Sequence, residues 1–269
     1  MSALLKLKTA KAFLILLGTF ATFNSAFAQS ARAKLNLNIV FIGNSITYGA
    51  NLSDPATQAP PVLACEYLRK QPGIGKVDYA NQGHSGFTTV DFLPSTGRPF
   101  NNVEEAALDF SDAKAQLIFS IKLGTNDSAI SGPNGAPVSP ADYEQNLKAI
   151  ADSLLKEFPA CLIIFQRPTW YSPNTYNGAK YLQEGLARLQ SYFPKLDDLV
   201  KAYGASHPNR VFMGDEQAFV YFKKHYLTDL TPENGKQGKF YLHPNAQGAA
   251  ALGTFWGEAI YKVVGPHDK

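Results

Sequence analysis

Cysteine is scarce in this chain. The 269 residues contain two, Cys65 and Cys161. Cys65 falls in a helix-like stretch and Cys161 opens an apolar run, so the pair reads as two separate buried thiols rather than a disulfide, even in an oxidising compartment. The five histidines are scattered, with no close ligand spacing to each other or to the cysteines, and no metal site is expected. Charge is also sparse, at 17% of residues with a formal net of +3. Lys6, Lys8 and Lys11 account for that excess, so the rest is near neutral and offers no basic face for nucleic acid. No apolar run has the length of a membrane span, and neither internal repeats nor low-complexity linkers are present.

The three leading lysines precede the apolar stretch Ala12–Ala21, and Ala26-Phe27-Ala28 forms a small-x-small site before Gln29. This is the pattern of a secretory signal peptide over residues 1–28. The alternatives are an uncleaved anchor or a buried helix. No cysteine sits near the cleavage point, which argues against a lipoprotein anchor. The expectation is an exported protein, periplasmic or extracellular and bacterial, whose mature chain, 29–269, is one domain.

Along that domain strands and helices alternate. Apolar runs at Leu37–Ile42, Val77–Ala80, Ala115–Ile121, Cys161–Phe165 and Arg210–Met213 read as five strands. Helices are expected over Ala59–Lys70, Pro140–Phe158, within 179–203 with a break at Pro194, and over Pro244–Val264. Ser139 before Pro140 is a suitable cap. The rhythm predicts a parallel sheet covered by helices on both faces, a three-layer α/β/α sandwich. Two loops rich in Gly, Pro and Asn, Ser128–Ser139 and Pro168–Gly178, follow strand ends and would rim one crevice.

Polar groups stand where strands end. Gly43-Asn44-Ser45-Ile46-Thr47 follows the first run, Asn81-Gln82-Gly83-His84-Ser85-Gly86 the second and Leu123-Gly124-Thr125-Asn126-Asp127 the third; Leu242-His243-Pro244-Asn245 precedes the last helix. These four ordered blocks resemble those of the SGNH (GDSL-like) hydrolases, and the resemblance covers essentially the whole mature chain. It implies a flavodoxin-like five-stranded sheet in the order 2-1-3-4-5 and hydrolysis of esters without a cofactor. It also implies roles. Ser45 would be the nucleophile, His243 its base, and Ser45 N–H, Gly83 N–H and the Asn126 amide the oxyanion donors. The chemistry is consistent with those roles, because a serine hydroxyl needs a base and the tetrahedral oxygen needs preorganised donors.

The chain departs from the family pattern twice. Asn44 replaces the usual Asp beside the serine, keeping size and hydrogen bonding while losing charge. Phe240 stands three residues before His243, where an Asp is usual, and a phenyl ring cannot orient an imidazole. Three explanations stand open. The site works as a Ser45–His243 dyad, or Asp229 or Glu233 supplies the carboxylate, or the protein is a decayed enzyme.

Trp170 and Tyr171, in the loop after the fourth strand, and Tyr48 are either substrate contacts at the rim or packing residues. Export, rim aromatics and the lack of a long apolar loop favour a small acyl group, acetyl foremost, on a carbohydrate, and the first block resembles exported sialate O-acetylesterase-like members. The partner expected is thus a small-molecule or glycan ester. A lipase, lysophospholipase or thioesterase is the second reading, and a non-catalytic glycan-binding protein the third.

Overall fold

A computed structural model describes residues 33–266; the signal-peptide expectation over 1–28 lies outside them. In chain order the elements are β1 (Leu35–Gly43), α1 (Ser45–Tyr48), α2 (Pro55–Gln58), α3 (Pro60–Arg69), β2 (Ile74–Gly83), α4 (Arg98–Leu108), β3 (Gln116–Lys122), α5 (Pro140–Glu157), β4 (Leu162–Phe165), α6 (Leu182–Ser206), β5 (Val211–Met213), α7 (Ala218–Asp229), β6 (Leu230–Gly235), β7 (Gly238–Pro244) and α8 (Ala246–Val264). β1 to β5 form one parallel sheet in the order β2-β1-β3-β4-β5. The expected fold class and strand order are both present.

The central strand is apolar on both faces because both are covered. From Leu37 to Gly43 every residue of β1 is buried, as a sheet between two helical layers requires. α5 presents Tyr143, Leu147, Ile150 and Leu154 to the core, and α6 packs beside it. On α8, Gly253 and Gly257 let the helix close onto α3. A Cβ at Gly253 would lie 2.6 Å from Leu63 Cβ, and one at Gly257 2.6 Å from the Tyr67 ring, so neither position accepts a larger residue without a shift.

The structure corrects several boundaries and adds elements. α6 runs unbroken through Pro194, where a break was expected. α8 begins at Ala246, with the Asn245 side chain accepting from Gly248 N, so His243 and Pro244 end a strand rather than open a helix. α4, α7 and the antiparallel hairpin β6–β7 were not anticipated. The hairpin pairs Glu233 with Phe240 and turns through Lys236-Gln237. β7 is tied to the loop after β4, where Ser172 N donates to Tyr241 O at 2.9 Å and Tyr241 N to Ser172 Oγ at 2.8 Å. Among the described residues no helix is long and apolar enough to cross a membrane.

Candidate active site

β1 delivers Ser45. The strand ends at Gly43, and α1 starts at once, capped by Asn44, whose Oδ1 accepts from Ile46 N at 3.1 Å. A neutral amide caps a helix as well as a carboxylate does, so Asn44 fulfils the local role of the usual Asp. Gly43 admits no side chain, since a Cβ there would overlap Thr47 Oγ1. The serine thereby sits at the C-terminal edge of the sheet, where open α/β folds place their sites.

β7 delivers His243 to the same point. Its Nε2 lies 2.9 Å from Ser45 Oγ, and both side chains are nearly buried. Its Nδ1 lies 2.9 Å from Glu233 Oε1, across the hairpin. With the ring proton on Nδ1 donated to Glu233, Nε2 is free to accept from the serine hydroxyl. The carboxylate therefore comes from the opposite strand, while Phe240, 1% exposed, packs against Gly235 at the hairpin end.

Asp229, the other candidate, does not reach the imidazole. Its carboxylate accepts from Tyr221 Oη at 2.7 Å, from Thr228 Oγ1 and from Gln247 Nε2 at 3.2 Å, and its backbone oxygen accepts from Asn245 N. It joins α7, the hairpin and α8. Asn51, which the sequence reading passed over, brings its amide to 3.3 Å from His243 Nδ1. Asn51 takes φ 69°, a left-handed conformation that asparagine tolerates.

Asn126 is held by both ends of its amide. Tyr181 Oη donates to Oδ1 at 2.7 Å, and Nδ2 donates to Phe87 O at 2.8 Å. Burial raises the Tyr181 phenol above its ordinary range, so the hydroxyl stays protonated and fixes which end of the amide is oxygen. One Nδ2 hydrogen remains for the cavity. The neighbouring Asp127 is structural. Its carboxylate accepts from Thr89 N at 2.8 Å and Gly124 N at 3.1 Å, and burial pushes it up to about 6.

Gly83 is not placed as expected. Its N–H donates to Asn81 Oδ1 at 3.0 Å, and the residue is packed under the α1 backbone, where a Cβ would lie 2.3 Å from Tyr48 N. Gly86, three residues on in the same block, lies on the cavity wall with φ 84° and open space around it. Its N–H has no protein acceptor among the described residues. Gly83 keeps the strand end close to α1, and Gly86 carries an unpaired amide at the cavity wall. The sequence signal was present, since the block contains two glycines, but the strand was read as ending several residues early.

Ser45, Gly86, Asn126 and His243 open on a cavity of about 550 Å³. Both loops singled out from the sequence reach it, Gly132 to Asn134 from one and Asn177 and Gly178 from the other. They abut through Lys180 N–Ser131 O at 2.9 Å. The rim aromatics are not there. Trp170 is 6% exposed and packs on Tyr226, and Tyr171 is fully buried with its hydroxyl 2.9 Å from Ser128 Oγ. The loop turns its apolar rings inward to cover the sheet end and shows Asn177 to the cavity instead. Tyr48 is half exposed and outside the cavity lining. Cys65 and Cys161 are free, buried thiols.

The sequence profile of the GDSL-like lipase/acylhydrolase family matches residues 41–251. The chain belongs to this family. Like other members it is an ester hydrolase. Solved structures sharing the fold include a lipase/acylhydrolase from Enterococcus faecalis, at 19% identity and TM-score 0.53, covering 86% of this chain and 99% of that one. A carbohydrate acetylesterase from Sinorhizobium meliloti matches at 15% identity and TM-score 0.55, over 84% and 99%. A carbohydrate esterase family 2 enzyme with a carbohydrate-binding domain, from Corynascus thermopiles, matches at 19% and 0.56, over 87% and 67%. Among curated proteins none matches the chain by sequence.

Proposed function

We propose that this GDSL-like hydrolase is an exported serine esterase that removes small acyl groups, acetyl foremost, from carbohydrate hydroxyls through an acyl-enzyme on Ser45. The observation that carries the reading is the hydrogen-bonded chain Ser45–His243–Glu233, with Oγ–Nε2 and Nδ1–Oε1 both at 2.9 Å, at the edge of the cavity. Ser45 Oγ attacks the ester carbonyl as Nε2 takes its proton. Glu233 holds the ring and stabilises the imidazolium. Ser45 N–H, Gly86 N–H and Asn126 Nδ2–H receive the oxyanion, each such donor contributing roughly 10²–10³ in rate. The tetrahedral intermediate collapses and the alcohol leaves with the proton from His243. Water then attacks the acyl group by the same steps, releasing the acid and restoring Ser45. No cofactor takes part. With Glu233 at Nδ1, the decayed-binder reading loses the observation on which it stood.

The neighbours include both a lipase/acylhydrolase and carbohydrate esterases, so the fold does not choose the substrate. The cavity wall favours the glycan. A long acyl chain gains about 0.8 kcal/mol for each methylene buried among apolar groups; Phe87, Pro133, Ala179 and Leu242 offer part of the wall to it, but Ser85, Asp91, Asn134 and Asn177 interrupt that surface with groups such a chain would desolvate without pairing. The test uses exported protein, with Gln29 as its first residue. Wild type is expected to release acetate from an acetylated oligosaccharide and to be labelled by a fluorophosphonate, and Ser45→Ala to lose both. Retention of activity by Ser45→Ala would overturn the mechanism, and equal or faster turnover of long-chain lipid esters would overturn the substrate class.

A further inference from the structure

We propose that Asp91 and Asn134 form the subsite for the alcohol half of the ester, and that this alcohol is an uncharged polyol, a neutral sugar with adjacent free hydroxyls. The inference rests on the esterase reading of Ser45 and adds what the substrate must look like beyond the acyl group.

Both residues line the cavity that holds Ser45 and His243, and they come from different loops. Asp91 follows β2 and Asn134 follows β3. Asp91 Oδ1 accepts from Asn134 Nδ2 at 2.9 Å, while Oδ2 accepts from Thr88 N at 2.8 Å and lies 3.1 Å from Thr88 Oγ1. Thr88 Oγ1 also lies 2.9 Å from Asn134 O. The two loops are thus laced together through the carboxylate, which fixes its position before any ligand arrives.

The hydrogen-bond inventory leaves capacity on both partners. A carboxylate has about four acceptor sites, and Asp91 has three neighbours for them. Asn134 Oδ1 and its second amide hydrogen have no partner among the described residues. An acceptor of full charge therefore stands beside a neutral donor and a second acceptor. Adjacent hydroxyls match this set, one donating to the carboxylate and the next accepting from the amide. Across the cavity, Asn177 Oδ1 is taken by Ala179 N at 2.9 Å, leaving its amino group to donate. An alkyl chain would desolvate all of these groups without pairing them.

Charge narrows the class further. No lysine or arginine lines the cavity, and Asp91 has no cation within ion-pair distance among the described residues. A sugar carboxylate or lipid phosphate placed there would meet like charge with nothing to offset it. The subsite thus disfavours acetylated sialic acids, which the first sequence block alone would have suggested, and favours neutral acetylated glycans.

Steady-state kinetics of wild type, Asp91→Ala, Asp91→Asn and Asn134→Ala decide the matter on three acetates: an acetylated xylo-oligosaccharide, an O-acetylated sialic acid and para-nitrophenyl acetate, which has no hydroxyls to read. Wild type should prefer the neutral sugar to the sialic acid. For Asp91→Ala, kcat/KM on the neutral sugar relative to para-nitrophenyl acetate should fall roughly 10–100-fold, mainly through KM, the size expected for one charge-assisted hydrogen bond. Asn134→Ala, at an exposed position, should lower the same ratio by less and covers the case in which Asp91→Ala does not fold. Asp91→Asn should improve the sialic acid relative to the neutral sugar. An unchanged ratio, an equal fall on every substrate, or a wild-type preference for the sialic acid would overturn the proposal. These outcomes are separable from a failure of the esterase reading, because only the latter predicts that Ser45→Ala still turns over para-nitrophenyl acetate.

Discussion

At the scale of the residue, Glu233 is the main departure from the family pattern. It lies ten positions before His243 in sequence and 2.9 Å from it in space. In Glu233→Gln the amide can still accept from Nδ1–H but cannot stabilise an imidazolium, and it also offers a donor that favours the wrong tautomer. We expect kcat to fall about 10²–10⁴-fold with KM little changed and folding intact. Asp229→Asn, by contrast, should lower thermal stability while sparing kcat, since its bonds run to Tyr221, Thr228 and Gln247. Rates and melting curves of the two variants together test the assignment, and a reversed pattern would assign the carboxylate to Asp229. Asn51 helps explain how a glutamate serves here, because a second polar group at Nδ1 limits the freedom of the ring.

At the scale of the element, the β6–β7 hairpin carries both His243, the proposed base, and Glu233, its proposed carboxylate. A two-stranded hairpin is marginal alone, so its geometry depends on what holds it. The loop after β4 does so. Ser172 exchanges two hydrogen bonds with Tyr241, and Asn174 Nδ2 donates to Gln237 O and Lys239 O at 3.1 and 2.6 Å. Ser172→Ala leaves the Tyr241 N–H without its acceptor, which costs about 1–3 kcal/mol when buried. A drop of several degrees in Tm is expected, with a fall in kcat larger than any rise in KM, because the hairpin and not the cavity wall is loosened. Unchanged Tm and kcat would show that the hairpin holds itself. The inward turn of Trp170 and Tyr171 belongs to the same device, since their rings fill the space between the loop and its surroundings.

At the scale of the whole molecule, buried ionisable groups set how stability varies with pH. Lys122 ends β3 inside the fold, with Nζ 3.4 Å from Thr125 Oγ1 and 3.2 Å from Thr169 Oγ1. Burial pushes it down to about 7 from its ordinary 10.5, against the opposing pull of Asp215. Between those values the unfolded chain holds a proton that the folded chain has released, so Lys122 makes stability rise with pH from about 7; above about 9 the Cys65 and Cys161 thiols, pushed up to about 12 by burial, act with the opposite slope and end the rise. Asp127 and Asp215, pushed up by burial from 3.8 to about 6, act with the opposite slope in a lower window. The folded state holds the extra protons there, so stability declines as pH rises from about 4 to 6. Lys122→Met removes the alkaline rise and leaves the acid-side slope. Melting temperatures of both proteins from pH 4 to 10 check this, and an alkaline rise persisting in Lys122→Met would exclude Lys122 as its source.

The sequence by itself determined the layers and, through the family resemblance of its four blocks, the strand order and three of the residues that meet at the cavity. Apolar runs of strand length bounded by turn residues read as buried strands, and a parallel sheet exposes their C-terminal ends together, so Ser45, Asn126 and the NQGHSG block share an edge. Periodicity also placed the core face of α5. It could not place the hairpin, because β6 has few apolar residues and contains Pro232, although Asn234-Gly235 at its end is a hairpin signal. Cross-strand pairing is what brings Glu233 to His243, and no spacing along the chain encodes it. The choice of Gly86 over Gly83 turned on which amide was already satisfied, and the inward turn of Trp170 and Tyr171 on what the loop had to cover. Local pattern decides which segments form elements; long-range packing and the pairing of each buried polar group decide which side chains face one another across the site.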